Sequence, residues 1–232
     1  MFLRSWEKLP DYMRNDAVKP YYDILNSHRV SLAIKRLFDI VVSLILIIVL
    51  CPFMLIIALI IKFDSPGPVF FSQIRVTIYG KLFKIKKFRT MVNGAEKKGA
   101  AITVKEDARI TKVGKILRNT KLDELPQLFN ILLGDMSFVG TRPEVVKYVE
   151  KYQPKYYATL LMPAGVTSEA SIRYKNENKL LDGDIDDVDI VYLEKILPAK
   201  MALNLESVET FRFHRDVLTM IRTVLAVLGK QY

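Results

Sequence analysis

Residues Ile40–Ile61 read IVVSLILIIVLCPFMLIIALII, an apolar run with no charge in it. As a helix, a run of this length extends about 33 Å, the scale of a bilayer core. A cleavable signal peptide fits badly. The run begins too far into the chain, exceeds the usual apolar region of about 7–15 residues, and no small-residue cleavage site follows it. The plain alternative is a core helix buried inside a soluble domain. Pro52 falls near the middle of the run and removes a helical donor, so it predicts a kink or a break. Ser43 is placed to bond back to the backbone. Two shapes follow: a kinked span, or a helix–break–helix hairpin that enters and leaves on one face. Arg29, Lys35 and Arg36 precede the run, and Lys62, Arg75 and Lys81 follow it. Spanning helices favour asymmetric flanks. The balance here leans towards both ends on the cytoplasmic side and leaves both shapes open.

The rest of the composition narrows the partner. Lys and Arg number 35 against 25 Asp and Glu, a net charge of +10. Such a chain suits an anionic partner: nucleic acid, an anionic membrane surface or a phosphorylated substrate. A nucleic-acid module would need a basic strip interleaved with aromatic residues, which is missing, and would leave the apolar run unexplained. The single cysteine, Cys51, excludes an intramolecular disulfide and a thiolate-rich metal site. It lies inside the apolar run and reads as inert. Two histidines, His28 and His214, do not make a His-rich zinc site.

Residues 1–30 are polar and carry Phe2, Trp6, Tyr12, Tyr21 and Tyr22, a pattern suited to a membrane interface. Asp64-Ser65-Pro66-Gly67-Pro68 is a turn. VFFSQIRV and KLFKIKKF predict two strands joined at Tyr79-Gly80. Residues 93–108, with Gly94, Gly99 and the Lys97-Lys98 pair, predict a loop. Helices are expected over 109–119, with Lys112, Lys115 and Arg118 on one face, over 124–133 with Gly134 as the stop, and around 143–158. Residues 163–181 predict irregular structure, and 187–228 a helical tail. Within it Leu218, Ile221, Val224, Leu225 and Leu228 share a face flanked by Arg215 and Arg222. That amphipathic face predicts a membrane-surface element, with packing on the main domain as the alternative.

Two stretches carry candidate chemistry. In Leu122-Asp123-Glu124-Leu125-Pro126-Gln127, Pro126 fits a first helical turn. Asp123 is then expected as the N-cap and Glu124 as the first helical residue, with free amides and the helix dipole keeping the carboxylates ionised. Asp123 as a cap and nothing more is the plain alternative. The surroundings argue for more: Arg118 and Lys121 precede the pair, and Gly134-Asp135-Met136-Ser137 and Gly140-Thr141-Arg142-Pro143 follow. Adjacent carboxylates among cations suit a divalent ion and a pyrophosphate. In Lys84-Ile85-Lys86-Lys87-Phe88-Arg89-Thr90-Met91, strand alternation puts Lys87 and Arg89 on one face. A solvated, lysine-guarded edge strand is the alternative there. The five aspartates between Asp182 and Asp189 lack calcium-loop spacing and read as loop plus helix start.

Five motifs in order resemble the bacterial sugar transferase family, the small monotopic phosphoglycosyl transferases: Lys35-Arg36-Leu37-Phe38-Asp39, Ser65-Pro66-Gly67-Pro68-Val69-Phe70-Phe71-Ser72-Gln73, Lys87-Phe88-Arg89-Thr90-Met91, Leu122-Asp123-Glu124-Leu125-Pro126-Gln127 and Gly134-Asp135-Met136-Ser137. The resemblance implies an α/β fold, mostly helical with a small sheet. It implies a monotopic membrane protein with an N-terminal re-entrant helix hairpin broken at Pro52, and a cytosolic catalytic domain with interfacial amphipathic helices. The expected divisions are 1–33 interfacial, 34–63 re-entrant, 64–186 catalytic and 187–232 C-terminal. The implied reaction moves a sugar-1-phosphate from a UDP-sugar to a polyprenyl (undecaprenyl) phosphate at the cytoplasmic face of a bacterial inner membrane, with Mg2+ and without nucleic acid. Asp123 would be the nucleophile, forming an acyl-phosphate and releasing UMP, and Glu124 would help hold the metal. Lys87, Arg89, Arg118, Thr141, Arg142 and Pro143 would bind substrate. A homodimer is one candidate assembly. The chain departs from the family pattern at Thr141 and at Gly165-Val166-Thr167-Ser168-Glu169-Ala170, so the resemblance carries no sugar assignment. Rival readings are a non-enzymatic anchor whose basic domain binds anionic lipid or nucleic acid, and a glycosyl transferase releasing UDP.

Overall fold

A computed structural model describes residues 3–95, 107–174 and 189–227. The Lys97-Lys98 pair, Gly99, the aspartates from Asp182 to Asp187 and Leu228 lie outside the described residues.

Helix α1 is Lys19–Ser27, and α2 is Arg29–Asp64, which contains the whole apolar run. The helix continues through Pro52 without interruption, and Ser43 Oγ donates to Ile40 O at 3.2 Å. Only 17% of its most apolar window is buried. That figure decides against a soluble core helix, which would be covered on most sides. Met54, Ile57 and Ile61 pack with Phe88 and Leu117, while Ile48, Leu55 and Leu59 face outward. The helix is long and apolar enough to enter or cross a membrane.

The two predicted strands form an antiparallel hairpin, β1 (Phe70–Val76) and β2 (Leu82–Phe88), with Phe71 opposite Lys87. The turn falls at Tyr79-Gly80, both at positive φ. Next come α3 (Lys112–Asn119), a 3₁₀ turn over Leu122–Glu124 and α4 (Gln127–Leu133). Helix α4 starts later than the sequence suggested. Pro126 occupies the N-cap position, and the acid pair sits in the turn before it. Two groups fix α4. Asn130 accepts from Lys86 N and donates to Lys84 O, tying the helix to β2. Arg36 of α2 donates to Ile131 O at 2.7 Å and Leu132 O at 2.9 Å. Gly134 ends the helix at φ 90°, a conformation that disfavours a side chain.

Strand β3 (Met136–Val139) pairs in parallel with β4 (Ala164–Thr167). Residues 163–174 are therefore more ordered than expected: β4 leads into α6 (Glu169–Arg173). A four-residue strand has too little alternation to read, and its partner is a strand distant in sequence. Gly165 meets Gly140 so closely that a Cβ on Gly165 would lie 2.2 Å from Gly140 N. The helix expected around 143–158 shrinks to α5 (Val146–Val149), and a 3₁₀ stretch over Pro154–Leu161 follows once Pro154 intervenes. The tail is helical: a π turn at Tyr192–Ile196, then α7 (Leu197–Glu209) and α8 (Phe213–Val227).

The largest core joins the two ends of the chain. Leu3, Leu9, Met13, Val18 and Leu25 pack with Tyr156, Leu161, Met201 and Leu205. The N-terminal segment thus supplies core as well as the aromatic residues expected at an interface.

Candidate active site

Four segments converge: the end of β2, the end of α3, the Leu122–Glu124 turn and the loop after β3. Lys121, which precedes the acid pair, adopts a left-handed conformation at φ 58°. A non-glycine residue there costs on the order of 1 kcal/mol and is retained where the surroundings dictate it. The kink ends α3 and swings Asp123 and Glu124 towards β2.

Glu124 is gripped twice through one oxygen. Lys87 Nζ lies 2.7 Å and Arg142 Nη2 2.9 Å from Oε1. Burial alone would raise its pKa. Arg142 and Lys87 overcome that and hold it well below the usual carboxylate range. Burial in turn pulls Lys87 below the ordinary lysine value, against the pull of Glu124.

Asp123 is 7% exposed and accepts no hydrogen bond among the described residues. Burial raises its pKa, with neighbouring Glu124 adding to the rise, while Lys87, Lys121 and Arg118 oppose it. This corrects the expectation of a helix cap: the turn is 3₁₀, the side chain caps nothing, and desolvation outweighs any help from free amides. The two acids are therefore differentiated. Glu124 is a fixed anion inside a cation clamp. Asp123 has its oxygens uncommitted and its anionic form destabilised.

Arg118 flanks the pair, with Nε donating to Thr90 Oγ1 at 2.8 Å. Arg142 sits on a braced loop. Thr141 O accepts from Gly165 N, Pro143 O from Arg75, and Glu144 O from Val76 N. Arg89 does different work from Lys87. Its guanidinium donates to Ser65 O, Pro66 O and Ile61 O and so holds the C-terminal end of α2. The strand ends at Phe88, so alternation no longer governs where Arg89 points. Sequence reasoning missed the bracing groups Arg75 and Glu144. Glu144 is buried and accepts from Tyr192 OH at 2.5 Å. Two separate single charges gave no sequence signal of that role.

No group of three His, Cys, Asp or Glu side chains able to hold a metal occurs among the described residues. Magnesium needs less from the protein: it keeps waters and uses one or two carboxylates plus substrate phosphates. Asp123, with uncommitted oxygens, and Glu124, with Oε2 outside the clamp, fit that demand.

A buried acid pair ringed by Lys87, Arg118 and Arg142, mounted against an uncovered apolar helix, defines a membrane-associated enzyme site suited to a polyanionic substrate. The chain belongs to the bacterial sugar transferase family, whose profile matches residues 30–230. It is 46% identical over 149 residues to an exopolysaccharide production protein of Rhizobium leguminosarum bv. phaseoli, covering 61% of this chain and 74% of that one. It is 39% identical over 178 residues to a putative undecaprenyl-phosphate N-acetylgalactosaminyl 1-phosphate transferase of Bacillus subtilis, covering 75% and 98%. A UDP-glucose:undecaprenyl-phosphate glucose-1-phosphate transferase of Klebsiella pneumoniae is 41% identical over 157 residues, covering 66% of this chain and 34% of that protein.

Proposed function

We propose that this protein transfers a sugar-1-phosphate from a UDP-sugar to undecaprenyl phosphate at the cytoplasmic face of a bacterial inner membrane. The observation that carries the reading is the differentiated pair: Glu124 neutralised by two cations, beside an Asp123 carboxylate free to attack. The relatives' names support the substrate classes.

In this reading an Asp123 oxygen attacks the phosphorus that bears the sugar. The bond from that phosphorus to the bridging oxygen breaks, UMP leaves, and the sugar phosphate remains on the Asp123 carboxyl. A phosphate oxygen of the lipid then attacks the same phosphorus, and the Asp123 carboxylate departs. The products are UMP and a polyprenyl diphosphate sugar. Arg142 and Arg118 supply planar donors for the diphosphate, and Lys87 holds Glu124 in place. When bound, a magnesium ion held by Asp123 and Glu124 supplies charge neutralisation at the diphosphate oxygens.

The membrane reading joins two elements. In this reading α2, helical through Pro52, bends at that proline within the bilayer so that both of its ends meet the cytoplasmic face, which the balanced basic flanks support. Helix α8 lies on the same surface, with Leu218, Ile221 and Val224 exposed.

The test is covalent. Enzyme incubated with a UDP-sugar and magnesium, without lipid acceptor, gains one sugar phosphate on the Asp123 peptide and releases UMP. An adduct elsewhere would overturn the assignment of Asp123. Release of UDP would point to a glycosyl transferase, and release of neither nucleotide to a non-enzymatic anchor.

A further inference from the structure

Helix α8 carries its polar face inward. Asp216 pairs with Lys35 at 2.6 Å, and Thr219 and Arg222 each reach Glu169 Oε1 at 3.1 Å. Thr223 Oγ1 lies 2.7 Å from Thr167 Oγ1. Thr223 Oγ1 also donates to Thr219 O at 2.8 Å, so its proton is committed there and Thr167 is the donor across the gap. The opposite face presents Leu218, Ile221 and Val224. A helix resting on a protein in water has the reverse polarity. The Phe213 ring lies 5.4 Å from that of Phe38, just before the uncharged run, so α8 packs beside the start of the apolar run of α2. Arg215, exposed at its margin, matches anionic headgroups. The occupant of that face is the bilayer surface.

This seat connects to the catalytic clamp. Thr167 ends β4, and its carbonyl accepts from Gly140 N at 3.0 Å. Gly165 N donates to Thr141 O at 2.9 Å. Those two bonds fasten the Gly140-Thr141 turn to β4. The next residue is Arg142, 2.9 Å from Glu124. We propose that Thr223 and Thr167 are positioning residues, through which α8, seated on lipid, holds β4 and so keeps Arg142 in register for the donor diphosphate. The inference rests on the proposed function for the role of Arg142, and extends it by making donor binding depend on the lipid seat of α8.

The experiment uses full-length protein in nanodiscs of phosphatidylcholine and phosphatidylglycerol. Thr223→Val keeps the shape and removes the acceptor, and Thr167→Val removes the donor. Each is expected to speed amide hydrogen exchange at Gly140 and Gly165 about three- to tenfold, the equivalent of one hydrogen bond. KM for the UDP-sugar rises by a similar factor while kcat stays within about twofold. Thr167→Ser restores both, and Thr223→Val adds nothing to KM in an Arg142→Ala background. Unchanged exchange in both valine variants would overturn the proposal, as would a fall in kcat at constant KM. An environment-sensitive dye on Ile221→Cys, in a Cys51→Ser background, reports the seat: apolar emission is expected, and water-like emission refutes the proposal. If the wild type releases no UMP, the assigned reaction is wrong, and the exchange data alone then judge the link from α8 to Gly140.

Discussion

Lys35→Met removes the cation from a charge cluster at the start of the membrane helix. Lys35 Nζ lies 2.6 Å from Asp216 Oδ2 and 2.9 Å from Val139 O, and Asp39 stands close by, accepting from Phe138 N. The side chains of Lys35 and Asp216 are only 6% and 16% exposed. At that separation the gross attraction is about 6 kcal/mol for an effective dielectric of about 20. Desolvation of both ions cancels much of this, so the net worth of the pair is smaller. Removing one partner is another matter: it leaves a buried carboxylate beside Asp39, at a cost of about 3–5 kcal/mol. The loss falls on α8, which should open locally. At about 1.4 kcal/mol per decade, trypsin cleavage at Arg215 and Arg222 should accelerate roughly a hundredfold to several thousandfold at neutral pH. Burial already raises the Asp216 pKa against the pull of Lys35, so Lys35→Met raises it further. A raised carboxyl contributes stability below its unfolded pKa and loses it as pH climbs through the folded one. The defect of Lys35→Met should therefore shrink as pH is lowered. Adding Asp216→Leu should recover most of the loss, all but the roughly 1 kcal/mol of the Val139 hydrogen bond. Equal cleavage rates in wild type and Lys35→Met, or a defect that deepens at low pH, would refute the reasoning.

Three further outcomes are expected. UMP release should fall as pH drops through the raised Asp123 pKa, and Lys87→Met, removing the strongest opposing charge, should move that fall to higher pH in a pH–rate profile. Asp123→Asn should abolish turnover yet melt no lower than wild type, because it replaces a carboxylate that burial disfavours; calorimetry at neutral pH checks this. Pro52→Ala should shift molecules towards a full span, read by thiol labelling of single cysteines at positions 15 and 100 in a Cys51→Ser background.

The features legible in the sequence share a short range. The Ile40–Ile61 run, the β1–β2 hairpin and the α3, α4 and tail helices each follow from local pattern, and the Asp123-Glu124 pair stood out among its flanking cations. What stayed hidden depends on distant partners. The β3–β4 pairing needs Gly140 against Gly165. The turn that presents the acids needs a left-handed Lys121, which residue type disfavours. Arg89 and Lys87 look alike along a strand, yet one closes a helix end and the other grips Glu124. Residue pattern alone puts Asp123 on a helix start as an easily ionised anion. Its burial comes from elements that converge only in three dimensions.

Arg36 gives the protein a depth gauge. Its guanidinium joins the membrane helix to the last carbonyls of α4, a strut of 7 residues, or about 10 Å, with the acid pair just before its first turn. In the proposed membrane reading, the height of Asp123 above the lipid is therefore set where α2 enters the membrane. In the proposed re-entrant topology the anchor enters and leaves through one leaflet and takes its reference from that leaflet's headgroups alone. Acyl chains could lengthen or shorten and the phosphate of a lipid acceptor would still meet the carboxylate at the same altitude, whereas an anchor crossing to the far side would tilt with every change in thickness.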